Sequence, residues 1–322
     1  MKKLFFSLVA AIVAATATYA QSSLVATLSH NGEISVFHGA SSLKQAMKAA
    51  THGDIITLAS GRYDAADITK AITLRGAGMD EDTISGAFRT HIVGNFNINI
   101  SDAATEHLTI EGIYHDSWIT ISGTLNNAMF QKSQFRYIRT DKDDNTINSF
   151  TCIHCYIFSD IVFPNKTSAT FINCVVSAPQ NPNGGTMEFS NCIILGNIAG
   201  IRNSSLTNCL IKVDYSTLNE TNMASYCAGY SQGQSVFYWI NKQTNKRLKQ
   251  FDALFKAGTF YELTDEAKQE YVGNDGKELG IHGGNLPWDS HILTPQITKC
   301  NVAAKTTADG KLSVDIEVKA AE

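Results

Sequence analysis

This chain is short of charge. Only 17% of its 322 residues are charged, and the formal net charge is −4. It carries no Lys/Arg run and no basic–aromatic stripe, which excludes the footprint of a nucleic-acid binder. Past residue 20 no apolar run is long enough to cross a bilayer, so no membrane span is expected. The motif patterns of nucleotide-binding proteins, metalloproteases and serine hydrolases are missing. Asn, Thr, Ser and Ile are plentiful instead, a balance that suits stacked strands better than helices.

The middle third holds a ladder. The phrase apolar-x-Asn-Cys-x-apolar occurs at Phe171-Ile172-Asn173-Cys174, Phe189-Ser190-Asn191-Cys192 and Leu206-Thr207-Asn208-Cys209. The Cys spacings are 18 and 17 residues. Weaker copies precede it around Cys155, Ser133 and Ile113. Each copy alternates apolar and polar residues, which is strand behaviour. A strand returning every ~20 residues is too tight for strand–helix–strand units, which need ~30 or more. The leucine-rich repeat is excluded because Leu is scarce in the phrase and Asn directly precedes Cys. The expected fold is all-β: a right-handed parallel β-helix, a solenoid whose repeats must stack to bury a core.

Asn173, Asn191 and Asn208 fall where the strand bends. Asn tolerates left-handed backbone angles, and stacked Asn side chains can bond one another up the pile. The seven cysteines are an odd count, so in an exported chain at least one stays unpaired. Cys155, Cys174, Cys192 and Cys209 hold equivalent inward positions and are read as small buried hydrophobes. Cys227 lies 18 residues beyond Cys209, but its neighbours do not fit the phrase and the ladder fades there. Cys152, Cys155 and His154 do not match a metal pattern, because Cys152 sits where its neighbours have Phe.

Residues 1–20 read as a signal peptide: Lys2 and Lys3, an apolar stretch, then Thr18-Tyr19-Ala20 before Gln21. An exported product is expected, secreted, periplasmic or associated with the cell surface. Residues 21–240 are assigned to the β-helix with its N-terminal cap, and residues 241–322 to a closing segment with a terminal hairpin or edge strand. Capping helix 43–50 buries Leu43, Ala46, Met47 and Ala50 by helical spacing. A late strand is expected at 235–240 and a short helix at 248–256.

Two segments carry a resemblance. The Ser-Leu-x-x-Ala-x-x-Ala helix at 42–49 is followed by Gly53-Asp54-x-Ile56-x-Leu58, Gly61-x-Tyr63 and Ile72-x-Leu74-x-Gly76-x-Gly78. This opening resembles that of the pectate lyase-like, right-handed parallel β-helix superfamily, over roughly residues 36–215. Residues 274–288, with Asp275-Gly276, Gly280, Gly283-Gly284 and Pro287, are similar to the closing segment of many exported β-helix proteins of gut-type Bacteroidetes. Leu279 stands where that pattern has Ile. Trp288 is expected to plug the open end of the core.

For chemistry, the longest step of the ladder is the best place to look, because loops on a rigid scaffold carry sites. Asp141, Asp143 and Asp144, with Asn145, can hold Ca²⁺, and Arg136 or Arg139 can face a uronate; with Asp141 these arginines are the catalytic candidates. A solvated turn is the preferred reading, because positions 151–159 bring no further carboxylate. Asp160, Glu188 and Asp214 fall in different phases, as do His107, His115 and His154. Trp118, Tyr114 and Tyr137 are candidates for a sugar-stacking platform. Two function classes follow. One is a monomeric, non-catalytic exported β-helix presenting a rigid face to a polysaccharide or surface glycan. The other is a polysaccharide lyase or glycoside hydrolase acting on acidic polysaccharide, the lyase being the form that the superfamily resemblance favours.

Overall fold

The computed structural model describes residues 24–81, 89–101, 107–164, 166–182, 184–196, 198, 200–212, 221–230, 243–248, 250–291, 296–302, 311 and 314–319. The expected leader at 1–20, the strand at 235–240 and Asp214 lie outside these residues.

The chain forms a parallel β-solenoid of about eight turns. Its strands align into a twelve-stranded and an eleven-stranded sheet that face each other across the core. Register explains the stability of the stack. In the first sheet Ile56, Leu74, Ile110, Phe130, Cys152, Phe171, Phe189, Leu206 and Ala224 pair in one continuous inward column. All are buried. Slipping any strand by one residue would turn its apolar set to solvent, so this column pins the pairing. Cys152 occupies a Phe position, as its neighbours in sequence suggested, and Phe171 stacks on Phe189 at 4.8 Å.

Six successive coils pass from the first sheet to the second through one left-handed, non-glycine residue. These are Lys132, His154, Asn173, Asn191, Asn208 and Tyr226, with φ between 46° and 56°. The next residue points inward: Ser133, Cys155, Cys174, Cys192, Cys209 and Cys227, all fully buried. The cysteines therefore stack as expected. Their thiols donate to carbonyl oxygens of the preceding coil, Cys174 to Cys152 at 3.4 Å and Cys192 to Phe171 at 3.3 Å. Burial pushes the thiols of Cys155, Cys192 and Cys227 far up, so they stay protonated.

The ladder does not fade at Cys209. Cys227 continues it, and Ala228–Tyr230 pairs in register with Leu210–Lys212. Tyr226 takes the left-handed position there without an Asn, so the backbone geometry outlasts the sequence phrase that marked it. A further strand, Lys246–Leu248, pairs with Ala228–Tyr230.

The N-terminal end is closed by an antiparallel hairpin and a helix. Val25–His30 and Glu33–His38 join through Asn31-Gly32, both with positive φ, the chemistry of a tight hairpin turn. Val25–His30 also pairs antiparallel with Ile55–Leu58 and so extends the first sheet. Helix α1 (Ser42–Ala49) buries Leu43, Ala46 and Met47, with Ala50 just beyond it, as the spacing implied.

The C-terminal region departs from expectation. The helix foreseen at 248–256 is one short turn at Asp252–Leu254, and a second helix, α2, follows at Asp265–Glu270. Residues 271–291 do not plug the open end of the core. They run lengthwise along the coils as a strap over the left-handed turns. Asn208 exchanges hydrogen bonds with Asn274 and accepts from the Gly280 amide. Asn173 Nδ2 donates to the carbonyls of Ile281 at 2.7 Å and Gly283 at 2.9 Å. His154 Nε2 reaches the Leu286 carbonyl at 2.9 Å, and Lys132 Nζ reaches Asp289 at 2.7 Å. These Asn side chains bond the strap rather than one another. Trp288 sits on the flank against His154 and Phe260. The cause is apolar: Val175, Ile193, Leu210 and Ala228 point outward from the second sheet and form a separate core with Leu254, Leu263, Ala267, Tyr271, Leu279 and Ile281. Residues 296–302 and 314–319 pair antiparallel, the hairpin expected at the end.

Candidate ligand-binding face

The second sheet carries a β-bulge on consecutive coils. Register shifts fall between Phe135 and Ile138, and again between Ile157 and Asp160. A bulge bends a strand and re-aims its side chains. Here inward residues flank each bulge, His115 and Ile119, Phe135 and Ile138, Ile157 and Ile161. The residues between them, 116–118, 136–137 and 158–160, remain partly or fully exposed.

This corner brings four of the sequence candidates together. Trp118 pairs in register with Tyr137, and their rings stack at 4.0 Å and 10°. The Arg139 guanidinium lies 4.1 Å from the Trp118 ring centre, and that of Arg136 lies 4.9 Å from Tyr137. Stacked guanidinium and indole attract through the ring quadrupole, by ~0.5–1 kcal/mol at exposed sites. Tyr114 lies apart from this group. It stacks parallel to Phe158 at 6.3 Å and meets Arg89 at 3.6 Å and His91 at 4.8 Å.

The acidic loop is a different matter. Asp141 accepts from Asn145 Nδ2 at 2.5 Å, and this bond is the main reason its carboxyl is held below the usual range. Asn145 is buried and faces the backbone: its Oδ1 accepts from Gly123 and its Nδ2 donates to Ile121. Asn222 and Asn245 make the same reciprocal bonds with Ser204 and Ile201, and with Cys227 and Ala224. Asn145 therefore closes a coil. Asp143 and Asp144 are exposed. Cys152 and Cys155 are inside the core while His154 faces the strap, so these three do not converge on a metal. Glu188 is exposed on the first sheet and His107 is exposed, both away from this corner in the register.

Spacing in the sequence missed two groupings. His91 Nε2 lies 3.1 Å from Asp116 Oδ1, beside Tyr114 and Arg89. Burial raises the Asp116 carboxyl, but His91 outweighs this and holds it low. Next to it His115 is fully inside, its ring tilted against Phe96 at 4.7 Å, and burial lowers the affinity of its imidazole for a proton. The pair was illegible because His91 precedes the recognisable part of the ladder. The second grouping joins Tyr156 and Phe158 to Phe260 and Trp288 of the closing segment. No periodic signal links residues so far apart.

Fold and corner together define a parallel β-solenoid with an aromatic, arginine-bearing outer face. Comparison with protein families, with curated proteins and with solved structures found no match.

Proposed function

We propose that this is an exported, non-catalytic β-helix protein whose second-sheet face binds a polysaccharide or a glycan-bearing surface. The observation that carries the reading is the Trp118–Tyr137 stack with Arg139 and Arg136, displayed by bulges on a rigid parallel scaffold. Aromatic faces meet the C–H surfaces of sugars, and guanidinium N–H groups meet their oxygens. Kinship with the pectate lyase-like superfamily and with Bacteroidetes exported proteins belongs to this reading, as does removal of residues 1–20.

A glycan array with protein lacking residues 1–20 tests it. Trp118→Ala and Tyr137→Ala should each weaken binding about tenfold or more, with an unchanged melting temperature. Retained binding in both folded variants would count against the face. The second reading is a polysaccharide lyase or glycoside hydrolase, and the His91–Asp116 approach beside Tyr114 and Arg89 favours it. Ultraviolet absorbance of unsaturated uronate, followed with and without Ca²⁺, separates the two. Turnover by the unsubstituted protein that is lost in folded Asp116→Asn would move the assignment to the enzyme.

A further inference from the structure

The Trp118 corner is joined to a pocket through one side chain, Asn95. Its Oδ1 accepts from the Ser117 hydroxyl and from the Trp118 amide at 3.1 Å. Both acceptor positions of that oxygen are used, so the donors left over are those of Nδ2. Phe96 pairs with Ile119 and Ile119 with Ile138, so Asn95, Trp118 and Tyr137 follow one another on three successive coils. Asn95 also lines an open pocket of about 520 Å³ between helix α1 and the first coils, together with Lys44, Met47, Lys48, Asp67 and Thr69. That volume lies within the ~300–1,000 Å³ of small-ligand sites.

Charge in the pocket is uneven. Lys44 lies 3.8 Å from Asp64. Asp67 Oδ1 accepts from the Asn97 amide at 2.9 Å and from its Nδ2 at 3.2 Å. Lys48 has no such partner: among the described residues no carboxylate lies within 4.0 Å of its ammonium. Arg136 and Arg139, over the Tyr137 and Trp118 rings, also lack a carboxylate at that distance. A chain with a net charge of −4 thus keeps three uncompensated cations on one connected surface. Such a surface draws anions. An ammonium acts as a point charge with rotatable donors, so Lys48 suits a carboxylate and a sulfate alike.

We propose that this pocket is an anion subsite, holding the carboxylate or sulfate group of an acidic polysaccharide whose neighbouring sugars lie on the Trp118–Tyr137 stack. Lys48 supplies the charge, Asn95 Nδ2 and the Thr69 hydroxyl supply hydrogen bonds, and Met47 supplies an apolar wall. This rests on the glycan-binding reading and deepens it by naming the charge of the ligand. It gives helix α1 a role in binding besides closing the core.

The test uses the protein lacking residues 1–20, with a chelator present, and polymers in matched pairs. One pair is a uronate polymer and its methyl-esterified form, the other a sulfated polymer and its desulfated form. At least one charged member should bind about fivefold or more tighter than its neutral partner, and the pair that shows this names the group as carboxylate or sulfate. Lys48→Gln should bring the ratio close to one, and Lys48→Arg should keep it. Lys166→Gln removes an exposed lysine of the first sheet and should leave the ratio as it is. A ratio near one in the unsubstituted protein overturns the subsite. So does a ratio that folded Lys48→Gln keeps, or that Lys166→Gln lowers as much. In each of these cases binding that is lost in Trp118→Ala leaves the glycan reading standing. Absence of binding to every polymer by the unsubstituted protein overturns both.

Discussion

At the scale of single residues, one left-handed backbone position recurs through six successive coils. A left-handed angle costs an ordinary L-residue ~1–2 kcal/mol, and Asn less, because its amide bonds locally. The chain uses Asn at three of these positions but Lys132, His154 and Tyr226 at others. The residue is thus chosen by what it touches outside the coil as well as by its angle. Asn173 does both, with φ 48° and two bonds to the strap. Asn173→Ala should lose ~2–3 kcal/mol in urea unfolding, roughly 1 per hydrogen bond plus the strain. Asn173→Gly should recover only the strain share. Equal losses for the two variants would show that the strap bonds carry the whole effect. The neighbouring inward position is more permissive. Ser133 donates to Gln131 and accepts from the Ile113 amide, much as the cysteines do between coils, so a hydroxyl serves there in place of a thiol.

At the scale of elements, the strap is the feature with a pH dependence. Asp289 is raised by burial, but Lys132 and the bonds from His291 outweigh this and bring its carboxyl to about 2. Its folded value lies below the unfolded one of 3.8. The stabilisation is therefore complete above the unfolded value and is lost as pH falls from about 4 towards 2. Protection of the Trp288 amide, which donates to the Ile281 carbonyl, should drop across that window in hydrogen exchange corrected for intrinsic rate. Asp289→Asn should remove the step. A pH-independent protection in the unsubstituted protein would mean that the Lys132–Asp289 pair does not hold the strap. Local backbone also constrains this element. A side chain on Gly284 would meet Asn191 Nδ2 at 1.9 Å, at a φ of +74°, so the close approach demands glycine.

At the scale of the whole molecule, two cores share one wall. The second sheet turns Ile157, Val176, Ile194 and Ile211 into the solenoid and Val175, Ile193, Leu210 and Ala228 out towards the closing segment. Removing residues 250–322 should expose that outward row without erasing the inner stack. The expected result is a folded but sticky solenoid, with retained β circular dichroism and strong binding of a hydrophobic dye. Loss of all β signal would instead make the closing segment obligatory for folding.

Strand periodicity, the inward cysteines, the capping helix and the terminal hairpin were legible in the chain, because each arises from contacts between neighbours or between equivalent positions of adjacent coils. The same held for Trp118 and Tyr137, one coil apart. The hairpin turn at Asn31-Gly32 is equally local, since an Asn-Gly pair takes the two positive φ angles of a tight turn. The path of the closing segment was not legible. Residue 281 meets residue 173 through a turn amide, and an amide announces no partner at that distance in sequence. The approach of His91 to Asp116 and the meeting of Tyr156 and Phe158 with Phe260 and Trp288 likewise depend on bulges and on where the strap comes to rest. Repetition writes itself into sequence because every coil faces the same neighbours, whereas the binding face arises where coils differ and only packing brings the differences side by side.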